Sequence, residues 1–199
     1  MISEALNYPL DGDNSDNNLI IGTLLVFASV FVLPIFILAG YFARTIRNAN
    51  NGEPAPEFED YTGLFVDGLK IVGVYLVYFI ALFAMIVPIA IFGELNEYLG
   101  IALFWLYVPA FFLFYYGYPT ISYYFGKNLS VRDAFNVKGV VRSILTLRYL
   151  KIFLILLGVQ IGFTVLQVIM AVTVIGLLLI PTSLFFEFVV YAKLLSELE

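Results

Sequence analysis

Long apolar runs separated by short polar segments dominate the chain. A helix that rises about 1.5 Å per residue needs about 20 apolar residues to cross the roughly 30 Å hydrocarbon core of a bilayer. The last apolar stretch is long enough for two such crossings, so we expect it to turn back near residues 173–176. The pattern therefore predicts five membrane-spanning helices, over about residues 19–43, 71–92, 99–125, 149–172 and 177–196.

A short amphipathic segment precedes the second crossing, at about residues 61–70. Leu64 and Leu69 can share one face of a helix there, while Asp67 and Lys70 point away from that face. A helix with this pattern lies on the membrane surface with its apolar face in the lipid.

A second surface helix is predicted at about residues 131–143, between the third and fourth crossings. Ser130 followed by Asp133 resembles a capping box at its start, with Asp in the place of the usual Glu or Gln. Its basic side chains would face the head groups of the lipid bilayer, which is the expected partner of the protein. These side chains are Arg132, Lys138 and Arg142.

The distribution of basic residues predicts the orientation of the bundle. With five crossings, all ten Lys and Arg residues fall on one side, and the other side, which comprises residues 1–18, 93–98 and 173–176, has none. The positive-inside rule assigns the basic side to the cytoplasm. We therefore expect a multi-pass protein of the cell membrane with a cytoplasmic C-terminus and an N-terminus outside.

The first apolar run leaves one alternative open. Pro34 stands in the middle of residues 19–43, where it would kink a spanning helix or let the run fold into a short re-entrant hairpin. A hairpin would place the N-terminus on the cytoplasmic side. The single crossing is our prediction, and the hairpin is its competing model.

Composition supports an integral membrane protein and excludes several kinds of chemistry. Apolar residues make up 62% of the chain and charged residues only 13%, so the chain cannot cover a water-facing surface. With no Cys and no His, the commonest metal ligands and catalytic bases are missing. We therefore expect no catalytic residue, no metal and no cofactor, in a protein that is not an enzyme.

The net charge of −5 adds two smaller expectations. A nucleic-acid-binding protein needs a basic surface, so no nucleic-acid partner is expected. Acidic residues crowd the water-facing segments, which suits a very salty cytoplasm and favours a halophile-like source, with chance in a few short loops as the alternative.

The residues that could form a site lie inside the last two crossings. Glu187 is the ionisable residue deep inside a span, where a charged group costs roughly 2.5–3.5 kcal/mol on insertion scales. Gln160, Thr164 and Gln167 share one face of the fourth crossing, and all three lie within about 6 Å of Glu187 in depth. We expect Glu187 to point into the bundle and reach at least one of them. A proton or cation site and a protonated carboxyl that joins two helices are both compatible with this pattern.

Five tyrosines crowd the end of the third crossing. Tyrosine concentrates at membrane interfaces because its ring is apolar and its hydroxyl reaches water, which accounts for the cluster. A cage that stacks on a ligand is the alternative. The cluster comprises Tyr115, Tyr116, Tyr118, Tyr123 and Tyr124.

Several short segments carry a likeness to a known family. They are residues 3–9, Gly40-Tyr41 with Arg44 and Arg47, residues 56–60 and 64–70, and Asp133-Ala134-Phe135. Together with the hydrophobic pattern, they resemble a largely archaeal family known as domain of unknown function 4013. The resemblance implies a multi-pass membrane protein and brings no activity or catalytic residue with it.

These observations predict an all-α integral membrane bundle of about five Pro-kinked spans and two or three surface helices, in a single domain. The leading functional hypothesis is a non-enzymatic structural or interaction protein, and the alternative is a small transporter or channel subunit that uses Glu187 and the Gln160 face. A transporter needs a water-accessible cavity that reaches Glu187, whereas a structural protein should seal that region with apolar packing. Either protein could form a homo-oligomer or bind another membrane partner.

Overall fold

The described part of the chain is built from α-helices and two short 3-10 turns. The structure is a computed structural model that describes residues 1–12 and 14–198. Asp13, in the acidic N-terminal segment, and Glu199, at the C-terminus that we predict to be cytoplasmic, lie outside the described residues. No strand occurs among the described residues, so the predicted all-α fold class is confirmed.

Four apolar segments are long enough to cross a membrane, and they correspond to the last four predicted crossings. They are Tyr61–Leu95, Glu97–Asn128, Leu147–Met170 and Val174–Ser196. The helices are α1 (Ile2–Asn7), α2 (Ser15–Ala28), α3 (Leu33–Asn50), α4 (Tyr61–Ala84), α5 (Ile86–Leu95), α6 (Glu97–Asn128), α7 (Val131–Ala134), α8 (Val137–Ile144), α9 (Leu147–Met170) and α10 (Val174–Ser196).

The first apolar run is a helical hairpin and differs from the single predicted crossing over residues 19–43. Helix α2 ends in a 3-10 turn at Ser29–Phe31, and Val32 then takes a left-handed φ of 64°, which interrupts the helix. Pro34 follows at the second position of α3, where its missing N–H breaks no helical hydrogen bond. The competing hairpin model therefore describes this region better than the single crossing does.

Contacts at the two ends of the hairpin place those ends on the same side of the bundle. The side-chain amide of Asn18, near the start of α2, donates a 3.2 Å hydrogen bond to the carbonyl of Pro56, which follows α3. Farther towards the N-terminus, the Lys193 ammonium of α10 lies 5.7 Å from the centroid of the Tyr8 ring. The N-terminal segment thus lies beside the C-terminal end of α10, whereas the single crossing would place these two segments at opposite ends of the bundle.

The predicted surface segment at residues 61–70 is instead the first part of the continuous helix α4. Leu64 is fully buried against the neighbouring helices and so does not face lipid as the surface-helix prediction expects. Asp67 is also buried, although the sequence pattern placed it away from the packed face. The reason is a partner on α3, because the Arg44 Nε donates a 2.9 Å hydrogen bond to its carboxylate.

The predicted surface helix at residues 131–143 is present as two short helices, α7 and α8. The Ser130 hydroxyl caps α7 by accepting the Asp133 N–H at 3.3 Å, as the capping pattern predicts. Asn136 then caps a new helix by accepting the Gly139 N–H at 3.1 Å, so the segment bends between the two. All three basic side chains are exposed, namely Arg132, Lys138 and Arg142.

Helices α3 and α4 cross with their backbones almost in contact. A Cβ built on Gly40 would lie 1.8 Å from the Leu64 carbonyl oxygen, and one built on Gly68 would lie 1.7 Å from the Phe36 carbonyl oxygen. Paired small residues that let backbones approach closely are typical of helix contacts in membranes. This contact fixes the hairpin against the first spanning helix.

Buried side chains concentrate in the half of the bundle that carries the basic residues. The three buried residues of α9 all lie in its first half, the last of them being Leu156, and α5 buries none. Helix α6 buries Gly100 near its start and then nothing before Gly117. The helices are therefore well packed at one end and separate towards the other, which leaves space between them at mid-depth.

Candidate intramembrane binding site

Glu187 lies on α10 and faces into the bundle towards α9. The Gln167 side-chain amide donates a 2.9 Å hydrogen bond to its Oε2 atom, so one of the three expected contacts is present. Thr164 is exposed, and its hydroxyl donates at 2.8 Å to the backbone carbonyl of Gln160. The structure thus joins Glu187 to Gln167 and leaves Thr164 outside that contact.

The turn between α9 and α10 brings these two side chains to the same depth. Thr173 caps α10 by accepting the Gly176 N–H at 2.9 Å, within the region where the sequence predicts the turn. A Cβ on Gly176 would lie 1.9 Å from the Met170 carbonyl oxygen, so only glycine allows the chain to reverse this closely. A tight turn keeps α9 and α10 in register, which is why a depth count from the sequence locates the partner.

A cavity of about 420 Å³ opens between α3, α4, α6, α9 and α10, and both Glu187 and Gln160 line it. Gln160 and Leu184 are exposed, the latter by 40%, so they lie at the mouth of the cavity rather than in its interior. Ile71 and Leu156 are buried and form part of its floor. The region around Glu187 is therefore not sealed by apolar packing.

Seven aromatic rings from five helices line the cavity. The Phe42 and Phe188 rings have centroids 4.6 Å apart, and the Tyr75 and Tyr118 rings stack at 4.8 Å. The Tyr75 hydroxyl is already engaged, at 2.6 Å from the Ser122 hydroxyl. The aromatic lining comprises Phe42, Tyr75, Tyr115, Tyr118, Phe153, Phe188 and Tyr191.

Any charge on the side chains that line the cavity is negative, apart from that of a bound guest. Glu187 is the ionisable acid among the lining residues, and no Lys or Arg occurs among those that the structure describes. In a medium of low dielectric constant, a carboxylate without a nearby cation is strongly disfavoured unless it takes up a proton or binds a cation. The cavity can therefore hold either the protonated carboxyl or a positively charged guest.

The predicted tyrosine cluster divides between two roles. Tyr115 and Tyr118 line the cavity. The Tyr116 hydroxyl donates at 3.1 Å to the Ile144 carbonyl, and the Tyr124 hydroxyl lies 3.2 Å from that of Ser143, so these two hold α8 against α6. Interface anchoring and a ligand-stacking wall are thus both compatible with the cluster, at different residues.

Sequence reasoning missed the rings that complete the wall, among them Phe42, Tyr75 and Tyr191. Each stands on a different helix, and in the sequence each is one aromatic residue among many in an apolar run. No spacing pattern marks them, because their convergence depends on how α3, α4 and α10 pack.

A second polar cluster, also missed, joins the loop before α4 to α3 on the basic side. Arg44 bridges two carboxylates, at 3.1 Å from Asp60 and 2.9 Å from Asp67, and Lys70 lies 3.0 Å from Asp67. The Gly63 N–H and then the Arg44 guanidinium hold the pKa of the Asp60 carboxyl below its usual range. The seven-residue step from Asp60 to Asp67, two helical turns, is the signal that could have revealed the cluster.

The basic residues of α7 and α8 form a separate feature from the cavity. Arg132, Lys138 and Arg142 are exposed and do not line it. On the neighbouring turn, the Asn128 amide donates at 2.8 Å to the Asp133 carboxylate, which ties the end of α6 to α7. The three cations are left pointing outwards, on the side where the other basic residues cluster.

Four apolar helical segments are long enough to cross a membrane, and the cavity lies between them. This architecture is that of a helical membrane protein. The chain belongs to the family described as DUF4013, protein of unknown function, because the family model matches residues 23–175. The match begins within α2, after the resembling segment at residues 3–9, and it includes the rest of the hairpin, the Arg44 cluster and α4 to α9. No curated protein and no solved structure gives a significant match to the chain.

Proposed function

We propose that the protein is a non-enzymatic small transporter or channel subunit that binds a small solute in the cavity at Glu187. The observation that supports this proposal is the cavity itself, since a purely structural bundle should fill the space around a mid-membrane carboxyl with apolar side chains. The volume of about 420 Å³ lies within the range of about 300–1,000 Å³ that is usual for small-molecule sites.

The orientation of the bundle forms part of the proposal. The ten Lys and Arg residues fall on one side of the bundle in this arrangement of crossings, and the positive-inside rule assigns that side to the cytoplasm of a cell membrane. Because the hairpin returns to the side from which it starts, both ends of the protein face the cytoplasm. The loop between α5 and α6 and the turn between α9 and α10 then face outwards.

The absence of Cys from the chain allows a direct test of whether the cavity holds water. A single cysteine at Gln160→Cys, at the mouth of the cavity, should react with a small cationic methanethiosulfonate in proteoliposomes, because the thiolate forms only in water. The matched control is Val165→Cys on the same helix, whose side chain is 54% exposed on the outer surface of the bundle. We expect Gln160→Cys to react at least about tenfold faster than Val165→Cys. The apolar lipid around position 165 disfavours the thiolate there. Equal and slow reaction at the two positions would refute the transporter.

A structural or interaction role at the membrane surface is the second candidate function. It is favoured by the exposed cations of α7 and α8, each of which contributes about 1 kcal/mol to attraction by an anionic leaflet. Changing Arg132, Lys138 and Arg142 together to Gln should then reduce the anionic lipid that copurifies with the protein, measured by mass spectrometry against zwitterionic lipid. An unchanged lipid ratio would contradict this role.

A further inference from the structure

We propose that the guest of the cavity is a monovalent organic cation with an apolar body, of the quaternary ammonium or phosphonium type. This inference rests on the proposed function and names the chemical class of its ligand. It is carried by the juxtaposition of one carboxyl group with an aromatic wall in a cavity that contains no basic residue among those described.

The carboxyl group selects the sign of the guest. The Gln167 amide donates a hydrogen bond to the Oε2 atom of Glu187. Within the described residues, the structure shows no hydrogen bond to the Oε1 atom. An anion would be repelled by the carboxylate in a low-dielectric space, and a neutral guest would fit only if the carboxyl first takes up a proton. A guest with one positive charge neutralises the site and removes the cost of the buried carboxylate.

The aromatic wall selects the chemistry of the cation. The faces of aromatic rings carry negative potential and attract cations, and cages of such rings recognise quaternary ammonium groups. The Phe42–Phe188 pair is formed by α3 and α10, and the Tyr75–Tyr118 stack is formed by α4 and α6, so rings approach the space from separate helices. Tyr191 extends the first pair, with its centroid 6.4 Å from that of Phe42.

Size and polarity disfavour a bare metal ion as the guest. A metal ion requires several oxygen or nitrogen ligands in close geometry, and the described residues contain no group of three or more His, Cys, Asp or Glu side chains. The Tyr75 hydroxyl is engaged with the Ser122 hydroxyl, 2.6 Å away. A cavity of about 420 Å³ with apolar walls instead fits a cation that carries its own hydrophobic surface.

Two ions of nearly equal size and opposite charge provide the test. The full-length protein in detergent is titrated with tetraphenylphosphonium and, separately, with tetraphenylborate, and binding is measured by equilibrium dialysis. We expect saturable binding of the phosphonium, reduced about tenfold or more in Glu187→Gln and retained in Glu187→Asp. The matched control is Glu94→Gln, an exposed carboxyl in the last turn of α5, which should bind as the unmodified protein does.

The outcomes separate the ligand class from the proposed function. Phosphonium binding that is equal in Glu187→Gln, or borate binding that is equal or tighter and depends on Glu187, would overturn the cationic ligand. If Gln160→Cys is water-accessible but the phosphonium does not bind, the ligand class is wrong while the cavity and the proposed function stand. Should Glu187→Gln fail to fold, Tyr118→Leu removes one ring from the wall and leaves the carboxyl, and it should also weaken phosphonium binding several-fold.

Discussion

At the scale of single residues, Val32 holds the least favourable backbone conformation of the hairpin. Its φ of 64° is one that β-branched residues avoid, and its side chain is 58% exposed, so little packing compensates for the conformation. Such conformations cost about 1–3 kcal/mol, whereas glycine adopts them freely at an entropic cost of about 0.5–1 kcal/mol. Val32→Gly should therefore stabilise the protein by about 1 kcal/mol in a denaturation experiment in detergent. Val32→Ala keeps the Cβ and should bring little of this gain, so equal effects of the two changes would contradict the explanation.

Asp60 gives a dependence of stability on pH with a defined sign. Its pKa is lowered in the folded protein by the Gly63 N–H and by Arg44, so the folded state binds the proton less readily than the unfolded chain does. The stabilisation is therefore present above the unfolded pKa of about 3.9 and is lost as the pH falls through the folded pKa. The unmodified protein should melt at a higher temperature than Asp60→Asn at pH 7, and the difference should shrink below pH 4. Glu59→Gln, at the exposed neighbouring carboxyl, should show no such convergence.

The sequence locates Glu187 and its partner region, but not the cavity that they border. Depth along a hairpin depends only on the position of the turn and the helical rise, and for that reason Gln167 is found within hydrogen-bonding distance of Glu187. The burial of Asp67 has a different origin, since it depends on Arg44 of another helix. Contacts between distant helices leave no local pattern, which is why the pattern along α4 placed Asp67 on the wrong face.

At the scale of helices, the α3–α4 contact depends on glycine at two positions. A methyl group on Gly68 would overlap the Phe36 carbonyl, and backbone atoms cannot move aside as a flexible side chain can. Gly68→Ala should therefore destabilise the protein by about 1–3 kcal/mol. Gly73, one and a half turns further along α4, has no atom within 4 Å of the same built position. Gly73→Ala should be neutral or stabilising by up to about 1 kcal/mol, because alanine favours a helix. Unfolding in detergent measures both changes, and a destabilising Gly73→Ala would show that the helices are simply intolerant of substitution.

Hydrophobic patterning predicts the four long apolar segments well and the first run badly. A segment that crosses a membrane must be apolar over its full length, and this requirement alone locates α6, α9 and α10. A hairpin of two shorter helices has the same hydropathy as one kinked crossing, so Pro34 alone could not distinguish them. The difference arises from hydrogen bonds such as that between Asn18 and Pro56, which join the two ends of the run.

At the scale of the whole molecule, the hairpin decides whether the N-terminal segment lies on the same side of the bundle as the C-terminal end of α10. Four crossings return the chain to its starting side, so the contact between Tyr8 and Lys193 requires that the N-terminal segment stays with the C-terminal end of α10. The single-crossing model would separate them by the full bilayer. The two models therefore predict opposite sides for the N-terminal segment and the same side for every later loop.

Single cysteines in this cysteine-free chain distinguish the two models. Ser3→Cys reports the N-terminal segment, Glu94→Cys the last turn of α5, and Thr146→Cys the basic side before α9. All three positions are exposed. In intact cells, a membrane-impermeant maleimide should label only Glu94→Cys, because the positive-inside rule keeps the basic side in the cytoplasm. Ser3→Cys and Thr146→Cys should become labelled together once the cells are permeabilised. Labelling of Ser3→Cys from outside, with Thr146→Cys still protected, would support the single crossing. Labelling of both Ser3→Cys and Thr146→Cys from outside, with Glu94→Cys protected, would show that the entire bundle has the opposite orientation.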